Sequence, residues 1–350
     1  MEKIMVVGGY GDVGKAAVTE LLRASSHPIV IGGRSKQKGE QLLKELKEAN
    51  LSFQRIDIYE EATYQHQLQE ITTVIMCLSP KTIDFAAYCL QSGINYLDIS
   101  ASNQTTAELF DLDSSQIKAV GLLGVGICPG LSTLLVKQMA VSFDQIDQIE
   151  LSLLLGMGDH FGADALNWLL TNISQPFRWF NKVKWVKVKS FQAKKKVPSG
   201  PDGKSFTAYT FNLADQQIIS QAFKNSEVAT YFAIDEKKLL FLLMLLAKVN
   251  FFKLLKYPKI YQLVLRFAAL SQRTARQSTD LFSIHVKLRG TKAGKASICE
   301  ETILGKNSSE TTGKIAAHSA LLLQKKQISN QLCYLNAAFD LSDFQNDWHE

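Results

Sequence analysis

Hydrophobic positions in the first third of the chain come in two spacings. Short strand-like runs fall at about Lys3–Gly8, Ile29–Gly33, Phe53–Ile56, Thr73–Leu78, Asn95–Ile99 and Gly121–Gly126, and all but Phe53–Ile56 and Asn95–Ile99 are apolar at nearly every position. Runs of this length predict strands buried on both faces. Between them, at about Val13–Ala24, Lys36–Ala49, Tyr64–Glu70 and Lys81–Ser92, apolar residues recur among charges at helical spacing. Strands alternating with helices imply a parallel sheet with right-handed crossovers. Ligands of such sheets bind outside the carboxyl ends of the strands. That rule directs attention to Gly8–Gly14, Gly33–Ser35, Cys77–Pro80, Asp98–Ser100 and Gly126–Gly130.

After Pro129-Gly130 the pattern changes. Leu131–Ala140 predicts a helix, and strand-like segments follow at Gln148–Leu155, Trp185–Phe191, Thr207–Asn212, Phe282–Arg289 and Ala296–Leu304. The fold expected is therefore α/β, with a doubly wound parallel sheet over 1–130. A second, α+β domain with a mainly antiparallel sheet covers 131–311, and a late helix over about 312–330 returns to the first domain. Past Asn330 only a short polar tail with scattered aromatics is expected.

Composition narrows the setting. The chain has 350 residues, 46% hydrophobic and 21% charged, with a formal net charge of +6. This is an ordinary globular composition with room for two cores, and the charge suits an anionic cofactor without pointing to nucleic acid. Cys77, Cys89, Cys128, Cys299 and Cys333 form no CxxC pair, and the histidines form no ligand cluster, so neither a zinc site nor a disulfide framework is expected. The first strand begins at once, with no charged-then-apolar leader. A reducing, cytoplasmic compartment is the expectation. One stretch stands apart: from Lys237 to Arg276 there are six Lys, three Arg and no acid, interleaved with runs such as Leu239–Leu246. No apolar run reaches the ~20 residues that span a bilayer. The stretch reads either as a buried helical hairpin or dimer face with snorkelling lysines, or as a basic surface that makes peripheral contact with anionic membrane through 237–276.

The densest chemical signal is Gly9-Tyr10-Gly11-Asp12-Val13-Gly14, which follows a strand and opens a helix. That context turns a weak glycine motif into a dinucleotide-binding fingerprint of a Rossmann domain. Gly9 is expected to make the tight turn, Gly11 to admit a pyrophosphate and Gly14 to let helix and strand touch. The second strand ends in Gly33-Arg34-Ser35 and lacks the acid that accepts from NAD ribose hydroxyls. A guanidinium grips a 2′-phosphate through its planar fork, so Arg34 predicts NADP, with NAD still possible. Lys36 and Lys38 are either helpers there or plain solvated charges. Asp57 after the third strand, Ser79 and Pro80 after the fourth, and Pro129 and Gly130 complete the cofactor-binding set.

For catalysis the candidates are Asp98, Tyr96 and His160. Asp98 stands at a strand end with Tyr96 on the same face, suited to stabilising a cation or accepting a proton; the plain alternative is a helix cap. His160 lies in the glycine-rich segment 156–164, which is either a substrate-covering loop or a flexible connection. No Tyr-x-x-x-Lys pair occurs, which disfavours short-chain dehydrogenase chemistry.

Taken in order, Val7–Gly14, Gly33-Arg34-Ser35, Asn95-Tyr96-Leu97-Asp98-Ile99-Ser100, Gly126-Ile127-Cys128-Pro129-Gly130-Leu131-Ser132 and the late Ala316-Ala317 resemble the saccharopine dehydrogenase-like NAD(P)-binding oxidoreductases. The first 140 residues carry most of the resemblance. It implies a Rossmann domain joined to a substrate and dimerisation domain, a small-molecule substrate, and hydride transfer at an imine or carbonyl. A homodimer is implied as well. A catalytically idle dinucleotide-binding scaffold, sensing redox state or associated with membrane, is the other reading.

Overall fold

The computed structural model describes residues 2–100, 103–158, 169–170, 172–173, 176–180, 184–198, 204–249, 251–257, 259–264, 279–326, 328–329 and 331–348. The chain divides into two units, 1–130 with 309–347, and 131–308 with 348–350.

The first unit opens with β1 (Ile4–Val7), α1 (Asp12–Ala24), β2 (Ile29–Gly33), α2 (Lys36–Leu46), β3 (Leu51–Arg55) and α3 (Glu61–Gln67). It continues with β4 (Thr73–Met76), α4 (Asp84–Gln91), β5 (Asn95–Asp98), α5 (Asn103–Phe110) and β6 (Gly121–Leu123). Every residue of β1, β2 and β4 is buried, which is why these strands read as continuous apolar runs. The strands pair in parallel, and a seventh, Leu332–Tyr334, adds beyond β6. The order runs β3-β2-β1-β4-β5-β6 and then this late strand. Winding reverses between β1 and β4, the switch point where such sheets bind ligands.

The second unit contains α6 (Leu131–Ala140), β7 (Gln145–Leu155), β8 (Phe177–Phe180), β9 (Trp185–Val188), β10 (Lys194–Pro198) and β11 (Ser205–Thr210). Then come α7 (Asp215–Ala222), β12 (Glu227–Ile234), α8 (Lys237–Lys248), β13 (Leu281–Lys292) and β14 (Lys295–Lys306). Six of these strands form a mixed sheet ordered β10-β11-β12-β7-β13-β14, antiparallel except for β12 beside β7. On β13, Phe282, Ile284, Val286 and Leu288 are fully buried and alternate with Ser283, His285 and Lys287, the period-2 pattern of a strand. The β13–β14 hairpin closes at Ala293 and Gly294, both at positive φ.

The chain then returns to the first unit through α9 (Ser308–Lys325), β15 (Leu332–Tyr334) and α10 (Leu335–Ala338). The expected polar tail is thus corrected. Leu332–Tyr334 pairs with β6, and Phe339 and Phe344 are about 1% exposed and pack edge to face. Three residues are too few to show a period, and the segment owes its strand state to the open edge of β6. Gly313 of α9 meets α1: a Cβ there would stand 2.6 Å from the Val13 carbonyl oxygen and 2.7 Å from the Ala17 nitrogen.

Candidate functional site: the carboxyl edge of the parallel sheet

Register fixes the site. Gly32, Val7, Met76, Asp98 and Leu123 lie side by side across β2, β1, β4, β5 and β6. The residues that follow each of these therefore emerge along one edge.

At the centre is the β1–α1 turn. Gly8, at φ +79°, is the residue in the left-handed region, so it makes the tight turn that the motif suggested for Gly9. A Cβ on Gly14 would come 2.3 Å from the Gly8 carbonyl oxygen, which accepts from the Gly11 N–H at 2.9 Å. Gly11 caps α1 with extended backbone and no side-chain bond to the first helical N–H groups. The N–H groups of Asp12 and Val13 stand at the positive end of α1, a geometry that favours a phosphate anion. Gly11 itself is exposed, and a Cβ on it would meet only the Gly8 oxygen, at 3.3 Å. These features fit a pyrophosphate lying over the turn.

Tyr10 reaches sideways to the end of β2. Its ring fills the space above Gly33, where a Cβ would lie 2.5 Å from a ring carbon, and its hydroxyl accepts from the Ser35 N–H at 3.2 Å. Ser35 in turn caps α2, its Oγ accepting from Lys38 N at 3.3 Å. The first turn of α2 carries no acid, and the Lys38 ammonium sits 5.9 Å from the Tyr10 ring centroid. Arg34 is exposed and, among the described residues, has no ion-pair partner. The corner holds the Arg34 guanidinium and the Lys38 ammonium, while Lys36 is paired with Glu40 at 3.7 Å. Asp57 stands beside it, because Ile56 N donates to Gly33 O. The Asp57 carboxylate accepts from Tyr59 N at 3.1 Å.

On the other side of the turn, Leu78 packs beneath Gly8, and the Cys77 N–H donates to Val7 O at 2.9 Å. Ser79 is exposed and Pro80 buried in the same loop. Burial, with the Asp98 charge adding to it, pushes the Cys77 thiol up to about 12, which leaves it protonated and no nucleophile.

Asp98 ends β5 at 3% exposure. Its Oδ2 accepts from the Tyr96 hydroxyl at 2.9 Å and its Oδ1 from Ser100 N at 2.6 Å. Burial raises the carboxyl to about 6, while the Ser100 and Tyr96 hydrogen bonds pull the other way. The bond to Ser100 falls in the loop ahead of α5. Tyr96 is fully buried, its phenol pushed well up by desolvation and by the neighbouring Asp98 charge. Backbone joins Asp98 to the last loop, since Val125 N donates to Asp98 O at 3.0 Å. In that loop Pro129 and Gly130 are buried, Gly130 at φ +136° and folded against Gly126. His160 lies outside the described residues.

The edge thus brings together the glycine turn, the Gly33–Ser35 corner, Asp57, Ser79–Pro80, Tyr96–Asp98 and Pro129–Gly130. Gly8, Leu78 and Ser100 lie within the stretches to which the strand-end rule pointed, but sequence reasoning assigned none of them a role of its own. Gly8 was signalled by the Gly8-Gly9 pair; the other two act through contacts that no motif records. Among the described residues no cluster of His, Cys, Asp and Glu is arranged to hold a metal ion, and no helix is long and apolar enough to cross a membrane.

Comparisons with known proteins agree with this geometry. Residues 4–118 match the family model for the saccharopine dehydrogenase NADP binding domain. The whole chain shares its fold with saccharopine dehydrogenase (L-Glu forming) from Saccharomyces cerevisiae. That match has a TM-score of 0.67 at 11% identity, over 96% of this chain and 94% of the other. C. glutamicum DAP dehydrogenase in complex with DAP follows, with a TM-score of 0.51 at 12% identity over 96% and 93%. An engineered D-amino acid dehydrogenase bound to NADP+ gives the same values. A stretch of 74 residues is 35% identical to mouse UDP-glucose 4-epimerase, but it spans 19% of this chain and 21% of that relative.

Proposed function

We propose that this chain, whose residues 4–118 match the saccharopine dehydrogenase NADP binding domain, is an NADP(H)-dependent oxidoreductase acting on an imine, or a carbonyl, of a small molecule. The observation that carries the reading is the Tyr10–Gly33–Arg34–Ser35 corner beside a glycine turn shaped for a pyrophosphate. In this reading Gly11, Asp12 and Val13 hold the pyrophosphate through backbone N–H groups. Arg34 and Ser35 hold the 2′-phosphate, and Ser79 and Pro80 border the ribose on the far side of the turn. NADPH, when bound, supplies the two electrons of the reduction.

The residues of the chain do the rest. Asp98 stands at the edge as a carboxylate above its value of about 6, where it stabilises a cationic C=N group and exchanges a proton with nitrogen. Tyr96 is a positioning residue: its hydroxyl fixes Asp98 from the buried side. Three structural neighbours carry saccharopine, DAP or D-amino acid in their names, which supports an amine-bearing acid as the substrate class. Fluorescence titration of the purified protein with NADPH and NADH tests the proposal. Tight NADPH and weak NADH binding is expected, followed by NADPH consumption with pairs of amines and keto acids. Failure of both nucleotides to bind rejects it.

A further inference from the structure

Helix α8 is apolar on two opposite faces, and the fold covers one of them. Leu240 and Leu243 are buried at 5% and 9% exposure, on a helix that packs beside β12. Phe241, Leu242, Leu245 and Val249 are 61%, 39%, 48% and 66% exposed. At helical spacing these four share an arc of about 100°, turned away from Leu240 and Leu243. The exposed apolar surface continues at Leu254 and Leu263. Among the described residues, seven of the thirteen exposed large apolar side chains lie between 241 and 263, so this is a patch and not a scatter.

Charge decides what covers it. From 237 to 264 the sequence carries six Lys without one acid. Lys248 and Lys259 are exposed beside the apolar residues. A second copy seated on the same patch by a two-fold axis would set this cationic segment against itself. An anionic bilayer offers the complement to both features, acyl chains for Phe241 and Leu245 and lipid phosphates for the lysines. The helix has 12 residues, too short to span but long enough to lie in the headgroup plane.

We propose that α8 and the chain after it as far as Leu263 form a peripheral docking surface for anionic lipid bilayers. The proposal is independent of the activity assigned above. The test is co-sedimentation of the full chain with phosphatidylcholine vesicles and with mixed phosphatidylcholine–phosphatidylserine vesicles, at low and high salt. The mixed vesicles are expected to pellet the protein, the neutral ones not, and salt to weaken the binding. Leu245→Glu and Phe241→Glu each should lower partitioning by about tenfold or more, with circular dichroism and melting unchanged because both side chains are exposed. Lys248→Glu with Lys259→Glu should weaken binding to the mixed vesicles alone. Wild-type protein left in the supernatant with anionic vesicles overturns the proposal. So does undiminished binding by the Leu245→Glu variant, or a wild-type dimer that Leu245→Glu converts to monomer without any vesicle binding.

Discussion

Asp98 is a carboxylate that the sheet edge has removed from water, and its titration gives the site a pH signature. Burial lifts it from the ordinary aspartate range to about 6. If the ionised form serves the reaction, kcat/KM rises as pH climbs through about 6. Asp98→Asn should preserve NADPH affinity, abolish that limb and lower kcat by about a hundredfold or more; unchanged turnover would remove Asp98 from the mechanism. Tyr96→Phe keeps the ring in the core and deletes one donor to the carboxylate, so the acid limb should move above pH 6. A limb that stays in place means the hydroxyl only fills space. At the opposite corner, Arg34→Asp should weaken NADPH by about a hundredfold while leaving NADH within a few-fold, because a charge-assisted fork is replaced by repulsion. Equal losses for both nucleotides would rule out the phosphate clamp.

Among the elements, the contact between α1 and α9 matters most to the site, since α1 carries the glycine turn. Gly313 lets the two backbones touch. In an open helix, Gly→Ala stabilises by about 0.5–1 kcal/mol. Here the added methyl would overlap Ala16 Cβ and the Val13 carbonyl oxygen, both at 2.6 Å. Gly313→Ala is therefore expected to destabilise by about 1–3 kcal/mol. A melting temperature equal to or above that of the parent would show that the helices yield at no cost.

At the scale of the whole first unit, a charge cluster built on two buried acids ties the beginning of the chain to its end. His318 of α9 lies 2.7 Å from Glu20 of α1 through Nε2 and 2.5 Å from Asp347 through Nδ1, and Arg23 also pairs with Glu20. The hydrogen bond to Asp347, partly opposed by burial and aided by both acids, raises His318 above its ordinary value. Burial alone would raise Glu20, but Arg23 and His318 together bring it below its usual range. The signs differ. The His318 contribution is full below the unfolded value near 6.5 and is lost as pH rises through the higher folded value. The Glu20 contribution is present above the unfolded glutamate value near 4.3 and is lost as pH falls through the lower folded one. Denaturant unfolding should thus show His318→Gln to be more costly at pH 6 than at pH 9; the same cost at both would mean that the imidazole is not held charged.

The sequence by itself determined the parallel sheet, because β1, β2 and β4, buried on both faces, write continuous apolar runs and the helices between the strands write a 3.6-residue period. It also located the glycine turn and the Arg34 corner, where backbone geometry and missing acids are local properties. Only the tertiary structure decided the rest. Leu332–Tyr334 is a strand because β6 leaves it an edge, and β12 runs parallel beside β7 because of pairings far apart in sequence. Gly8 rather than Gly9 takes the positive φ, a choice between neighbours that the motif leaves open. Gly313 is needed because another helix passes over it. Asp98 owes its raised pKa to burial and to partners that fold around it, and burial belongs to no residue until the chain has packed.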